Sequence, residues 1–465
     1  MQLTELLEQP QTTEKGRRRW MYPVIRKGKL YQYRNWLSYV YLLLFFAGPF
    51  LRINGHPLLL LNVMEWHFVL LGQTFWPQDF FLFVLATLAF IVCIVFFTMA
   101  FGRVFCGWIC PQTIFMEMVF RKIEIWIEGN AKKRRELDEG PLTKDKIIKK
   151  TSKHVIFMVV SFLIANTFLA YIIGSENLVR IMTEPVAQHV VSFISIWVFT
   201  IAFYLVYSRV RELVCTVICP YGRLQGVLTD DHTLMVAYNY TRGEPRGKLS
   251  RKDPTAKGDC VDCGLCVDVC PTGIDIRKGA QLECVNCTMC IDACNQVMEK
   301  IHRDMNLIGF YSEEMIRENK KPTFTGRMKA YSVIIATLFG VLAYFIYQRK
   351  DIDVTVLRAG GMLYQEQPGH YISNVYNADI INKTDKLQDV QLVATNPDVK
   401  IKYIQAPGRL GKESSTRAVF FLMLPAGKIH EAKTNIKLNV VGHNKVLNTI
   451  STTFIGPNDD DDDKD

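Results

Sequence analysis

Two near-copies of one cysteine run dominate this sequence: Cys260, Cys263, Cys266 and Cys270 ahead of Pro271, then Cys284, Cys287, Cys290 and Cys294 ahead of Asn295. An iron-sulfur cubane needs four thiolates in tetrahedral directions. A C-x2-C-x2-C loop wraps three of them around one cluster while the fourth arrives from the other run. The expected ligand sets for two 4Fe-4S clusters therefore cross over: Cys260, Cys263, Cys266 and Cys294 for one, Cys284, Cys287, Cys290 and Cys270 for the other. Structural zinc sites pair C-x2-C with a distant second pair and leave the third cysteine without a role. Asn295 replaces the second proline of the bacterial pattern, which alters the turn after Cys294 but not the thiols.

The apolar residues, 49% of the chain, are concentrated in blocks. Trp36 to Leu51, Phe80 to Phe101, Val155 to Ile173, Val190 to Tyr207 and Ala330 to Tyr347 are nearly free of charge. Each is long enough to cross a ~30 Å hydrocarbon core. Five transmembrane helices are expected, the first tilted or kinked around Gly48 and Pro49.

The net charge of +10 gathers beside these blocks, so it points to the lipid bilayer and not to nucleic acid. Arg17, Arg18, Arg19, Arg26, Lys27, Lys29 and Arg34 precede the first, and the loop from Lys132 to Lys153 is rich in lysine. Such segments face the cytoplasm, which places the N-terminus inside and the C-terminus outside. The cysteine runs then fall in a cytoplasmic segment, where a reducing compartment suits cluster assembly, and none of the cysteines reaches the exported part.

The resulting fold class is a polytopic α-helical membrane protein with a dicluster ferredoxin insert and a C-terminal all-β, immunoglobulin-like domain. Its expected domains are a cytoplasmic segment over 1–35, a four-helix membrane domain over 36–228, a cytoplasmic domain over 229–328 with the ferredoxin module at about 255–300, a fifth helix over 329–350, a periplasmic sandwich over 351–457 and an acidic tail over 458–465 that resembles a tag.

The four-helix part repeats itself. One helix pair is followed by Cys106-Gly107-Trp108-Ile109-Cys110-Pro111, the next by Cys215-Thr216-Val217-Ile218-Cys219-Pro220. Two spans restore orientation, so both C-x3-C-P motifs reach the same face. Cysteines four apart share a helical face, and each proline suits the first turn of a new helix. Arg103 before the first motif, and Arg209 and Arg211 before the second, are expected to lower the thiol pKa values. Four converging thiolates can hold an iron-sulfur cluster, zinc or copper, and soft sulfur favours Cu(I); the residues themselves leave these three open.

Other chemistry-bearing residues read as ordinary. Cys93 packs mid-span; Met99, Met116 and Met118 fill gaps in a bundle; Met64, Glu65, His67 and His56 are isolated; His154, His189 and His232 are scattered. The Lys132 to Lys153 loop is a topology determinant at the anionic leaflet.

Two C-x3-C-P motifs after paired spans, a dicluster ferredoxin insert, one more span and an exported β domain together resemble the CcoG/FixG family of cytochrome c oxidase accessory proteins, over nearly the whole chain. Electron-transfer proteins of the NapH and NosR types share the cysteine motifs but not this C-terminal sandwich. The resemblance implies a bacterial inner-membrane oxidoreductase that reduces Cu(II) to Cu(I) for assembly of a cbb(3)-type oxidase. A cytosolic donor would feed the two clusters, and Cys106, Cys110, Cys215 and Cys219 would bind the copper. The implied partners are a copper chaperone or transporter and the oxidase subunits or assembly factors, with a homodimer as one assembly. Two other readings stand beside it: an electron relay from quinol or a cytosolic donor to a periplasmic partner, and a structural assembly scaffold.

Overall fold

The computed structural model describes residues 20–457, apart from 54–55, 63–66, 71–72, 76–78, 249–257, 351, 362, 385–386, 412–413, 430 and 443–444. The basic residues Arg17, Arg18 and Arg19, Met64 and Glu65, and the acidic tail over 458–465 lie outside the described residues. The chain divides into two compact units, a larger one holding the long helices and the cysteine runs and a smaller one dominated by the C-terminal strands.

Among the described residues four helices are long and apolar enough to cross a membrane: Phe80–Phe101, Lys144–Ile173, Val190–Val210 and Gly326–Tyr347. Phe80–Phe101 carries no charged residue and leaves Phe81, Phe83, Leu88 and Phe90 exposed, the all-round apolar surface of a helix solvated by lipid. The first expected block, Trp36 to Leu51, is helical only to Ala47, as part of Lys29–Ala47, which begins earlier and carries Lys29 and Arg34; Gly48 and Pro49 lie in a turn after the helix and do not kink it. Its N-terminal end is held by the ferredoxin module, while the Tyr171 hydroxyl near the end of Lys144–Ile173 donates to the Leu44 and Phe45 carbonyls at its far end. Its 19 residues cover about 28 Å at 1.5 Å per residue.

The lysine-rich loop differs from expectation. The third span begins at Lys144, where the Thr143 hydroxyl accepts from the Lys146 amide, and not at Val155. Its lysines do not simply face the lipid surface. Lys153 lies 2.8 Å from Glu128, and Lys150 pairs with Glu128 at 2.8 Å and Asp138 at 2.5 Å. These pairs extend into a buried network. Arg211 grips Glu124 with both terminal nitrogens at 3.0 Å, Arg134 reaches Glu124 at 2.9 Å, and Arg121 bridges Glu117 and Glu212. Burial alone would raise the Glu124 carboxyl, but Arg211, Lys153 and Arg134 override it and hold that group well below the usual carboxylate range.

The repeat is visible in the backbone. After Phe80–Phe101 and Gly102, a short turn Val104–Trp108 carries Cys106, the chain breaks at Cys110 (φ −56°, ψ 126°), and Pro111 opens a new helix. After Val190–Val210, Arg211 takes φ 56°, the turn Val214–Ile218 carries Cys215, the chain breaks at Cys219 (φ −69°, ψ 113°), and Pro220 opens Pro220–Leu228. Each proline occupies the first helical position, where its missing N–H costs nothing. The two cysteines of a motif therefore do not share one regular helical face: the second is the residue at the break.

The ferredoxin module is docked by capping helix ends. Asp292 accepts from the Leu30 and Tyr31 amides at 3.2 and 2.8 Å, closing the N-terminus of Lys29–Ala47 with a carboxylate that the helix dipole favours. At the C-terminus of Phe80–Phe101, Leu234 donates to the Ala100 carbonyl, Thr233 to Met99 and Asn286 to Phe101. Arg34, expected as a cytoplasm-facing charge, is buried and donates from Nε to the Gly107 carbonyl at 2.7 Å. Met235–Tyr238 and Ile308–Tyr311 pair as a two-stranded ribbon flanking the module.

The C-terminal unit is a sandwich. One sheet runs in the order Lys400–Gln405, Ser415–Pro425, Tyr371–Asn382, Ile352–Arg358, with Gln365–Gln367 on Tyr371–Asn382; the other runs Arg409–Leu410, Gln388–Ala394, Lys433–Gly442, Lys445–Ile455. Alternate residues point inward. Tyr376 and Phe420 stack with ring centroids 5.9 Å apart over Leu438, Val440 and Phe454. Tyr376 and Asn374 bond across to the Thr453 and Ile455 carbonyls, tying the sheets without a disulfide.

Two outcomes follow from the buried contacts. Glu124→Gln leaves Arg211 and Arg134 without their anion and should cost about 3–5 kcal/mol, read as a lowered unfolding midpoint in detergent; a change near zero contradicts the network. A Cβ on Gly107 would meet the Val285 carbonyl oxygen at 2.4 Å, a backbone atom with little room to yield. Gly107→Ala should therefore cost about 1–3 kcal/mol, and an unchanged melting temperature contradicts the close docking.

Candidate redox site

The ferredoxin loops are shaped by left-handed residues inside the cysteine spacings: Asp262 (φ 55°) and Gly264 (φ 70°) in the first run, Asn286 (φ 52°) and Thr288 (φ 66°) in the second. Asparagine and glycine tolerate this region, and it turns successive thiols toward one point. Cys260, Cys263, Cys266 and Cys294 line one cavity with Tyr238 and Arg277. Cys270, Cys284, Cys287 and Cys290 line another, and Cys266 lines both. Each crossed set thus lies around one of the two cavities.

Among the described residues no three His, Cys, Asp or Glu side chains converge as a single-ion site. Each set offers four thiols around a space otherwise lined largely by apolar side chains, the donor set that a 4Fe-4S cluster takes.

The second C-x3-C-P motif meets the first. Cys106 Sγ lies 3.7 Å from the amide of Gln225, on the helix after Cys219, and Cys215 Sγ lies 3.9 Å from the Thr113 hydroxyl, on the helix after Cys110. Each repeat therefore supplies a polar partner to the other repeat's first thiol. The expected lowering of these thiols by arginine is corrected. Burial pushes the Cys106 thiol up to about 11 despite Arg103, and burial with the neighbouring Cys110 pushes Cys215 up to about 12. Arg211 is committed to Glu124 and Glu212 and to the face of Trp20, 4.8 Å away. Desolvation wins over the remaining charges, so these groups are protonated at neutral pH until a cation replaces the proton.

The membrane motifs and the second ferredoxin run share a buried apolar cluster. Cys106, Cys215 and Cys290 all pack against Val269, Val285, Cys287, Met289 and Ala293. Trp108 Nε1 donates to the Asn286 carbonyl at 3.3 Å. Asn286 itself accepts from the Val236 amide and the Cys284 thiol and donates to Phe101. Asn286, Gly107, Thr113, Gln225 and Asp292 had not been singled out from the sequence. Only Asn286 and Gly107 carried a local signal, each being a small or turn-tolerant residue inside a cysteine spacing. Cys93 is partly exposed, and Met99, Met116 and Met118 are buried in helical packing.

Family profiles match three segments: a 4Fe-4S binding domain over 83–134, a 4Fe-4S dicluster domain over 210–313, and the IG-like fold at the C-terminus of FixG over 342–457. Protein RdxB of Cereibacter sphaeroides is 32% identical over 397 residues, covering 81% of this chain and 82% of its own. Protein RdxA of the same organism is 33% identical, covering 75% and 76%. Nitrogen fixation protein FixG of Rhizobium meliloti is 29% identical over 472 residues, covering 91% and 90%. A crystal structure of a FixG-related protein from Vibrio parahaemolyticus aligns with 23% of this chain and 97% of its own, at 20% identity and a TM-score of 0.20. The chain is a membrane protein with iron-sulfur domains and a C-terminal immunoglobulin-like domain, and it belongs to the FixG/Rdx family of iron-sulfur redox proteins.

Proposed function

We propose that this protein takes single electrons from a cytosolic donor and delivers them to copper at the C-x3-C-P thiols, reducing Cu(II) to Cu(I) for assembly of a cbb(3)-type oxidase. The observation that carries the reading is the packing of Cys106 and Cys215 on the cluster that holds Cys287 and Cys290. It puts soft sulfur donors on the same apolar cluster as two members of a ferredoxin ligand set.

Cys260, Cys263, Cys266 and Cys294 would hold one 4Fe-4S cluster, and Cys270, Cys284, Cys287 and Cys290 the other; such clusters supply one-electron redox chemistry at low potential. The protein's own part is positioning. Asp292 and Asn286 fix the module on two helix ends, the apolar lining excludes water, and Gln225 and Thr113 orient the first thiol of each motif. Thiolates select Cu(I) over Cu(II), so binding copper at Cys106, Cys110, Cys215 and Cys219 raises its reduction potential and draws the electron forward. Lipid on the long helices, basic segments toward the cytoplasm and an exported sandwich complete the reading as a bacterial inner-membrane protein. The placement of Lys29–Ala47 between the module and Tyr171 supports its counting as a fifth span.

A relay to a periplasmic partner is the second reading. It keeps the same two cluster sets and assigns the C-x3-C-P thiols no copper.

Purified anaerobically, the protein should hold about eight iron atoms per chain; about four after careful reconstitution would mean that one set holds no cubane. Replacing Cys106, Cys110, Cys215 or Cys219 singly by serine should lower Cu(II) reduction about tenfold or more while iron stays near eight. Normal cupric reduction in a variant lacking both Cys110 and Cys219 would reject copper chemistry here and put the relay ahead.

A further inference from the structure

We propose that the two ferredoxin thiol sets have fixed and different places in the electron path: Cys260, Cys263, Cys266 and Cys294 form the input station, and Cys270, Cys284, Cys287 and Cys290 form the output station against the membrane thiols. This rests on the electron-transfer reading above and adds an order to it.

Four observations give the order. Cys263 is the exposed member of the eight, and no thiol of the second set is exposed. Both membrane thiols that reach the module pack on the Val285–Cys287–Met289 cluster, and none packs on the cluster that contains Cys260 and Cys266. The third contact is direct backbone: Gly107, next to Cys106, lies so close to Val285 and Asn286, next to Cys284, that a Cβ would fall 2.4 Å from one carbonyl oxygen and 2.9 Å from the other. A further small cavity is lined both by Cys215 and by Pro271, Thr272 and Val285, the neighbours of Cys270 and Cys284. The Cys260 cavity is instead walled off by Tyr238, Arg277, Val297, Met298 and Leu307, and no residue of either membrane motif lines it.

Electron tunnelling weakens steeply with distance, so adjacency decides the sequence of transfers. A reduced flavin or ferredoxin, acting as a one-electron donor, loses one electron at the Cys263 face. One Cu(II) at the membrane thiols gains one electron and becomes Cu(I). No bond to carbon changes; the thiol protons leave for water when copper binds, and the electron step that follows carries no proton.

The test uses full-length protein, reduced anaerobically with dithionite and desalted, in two variants that each keep one thiol set: Cys260→Ala with Cys263→Ala, and Cys287→Ala with Cys290→Ala. Reoxidation of the remaining centre is followed by its electron paramagnetic resonance signal after mixing with ferricyanide, which approaches from water, or with Cu(II). Ferricyanide should act at least about tenfold more slowly on the first variant than on the second, and Cu(II) should show the reverse. Equal or inverted ferricyanide rates overturn the order.

The copper reading fails separately, if Cu(II) does not oxidise the wild-type protein or does so equally well in Cys106→Ser with Cys215→Ser. The ferricyanide contrast still decides the order in that case. Where a double variant loses all its iron, freeze-quenched wild-type protein carries the test. The signal that ferricyanide removes first should be the one perturbed by Arg277→Ala, since Arg277 lines only the Cys260 cavity. If it is instead the signal perturbed by Val285→Thr, the order is wrong.

Discussion

Everything functional in the larger unit depends on the ferredoxin module supplying the missing hydrogen-bond partners of membrane helix ends. A helix leaves four amides and four carbonyls unsatisfied, and burying them unpartnered is costly. Asp292 takes two amides of Lys29–Ala47, and Leu234, Thr233 and Asn286 take three successive carbonyls at the end of Phe80–Phe101. Because Asp292 lies between Cys290 and Cys294, and Asn286 between Cys284 and Cys287, these two caps also belong to the ligand loops. Helix capping and placement of the redox sites are therefore one set of contacts. Loosening either end would shift thiols relative to the C-x3-C-P motifs.

The buried charges serve the same end from the other side. Arg211, with its left-handed backbone, sits at the break before Cys215 and locks Glu124, on the helix that follows the first motif. Glu212 then meets Arg121 on the same following helix. The two repeats are thus riveted to each other by ion pairs whose desolvation is offset only while the full set is present. Such an arrangement favours one geometry over neighbouring ones more than it adds stability, and fixed geometry is what short-range electron transfer needs.

Much of this was legible in the sequence because metal-ligand spacing and apolar block length are local signals. The two cysteine runs anticipated the crossed cavities, the duplicated C-x3-C-P motifs anticipated the paired breaks at Cys110 and Cys219, and the alternating β-branched runs after Asp351 anticipated the sandwich. What escaped was long-range pairing. Arg34 and Lys153 read as surface charges because nothing local reveals that Gly107 and Glu128 wait for them. Arginines near Cys106 and Cys215 suggested acidic thiols, but burial outweighs them, and burial is a property of the packed unit. The early start of the third span at Lys144 was hidden for a related reason: its charged first turns are helical because Glu124, Glu128 and Asp138 neutralise them.

The most direct measurement follows both metals in one anaerobic sample: substoichiometric Cu(II) is added to fully reduced protein while the Cu(II) resonance and the reduced-cluster resonance are recorded together. If the thiol quartet is the copper-reducing end of the relay, one Cu(II) signal disappears for each reduced cluster reoxidised, and the matching fails when Cys106 and Cys215 are replaced. Loss of the Cu(II) signal with the clusters still fully reduced would mean that the thiols alone reduce copper, and would contradict the relay.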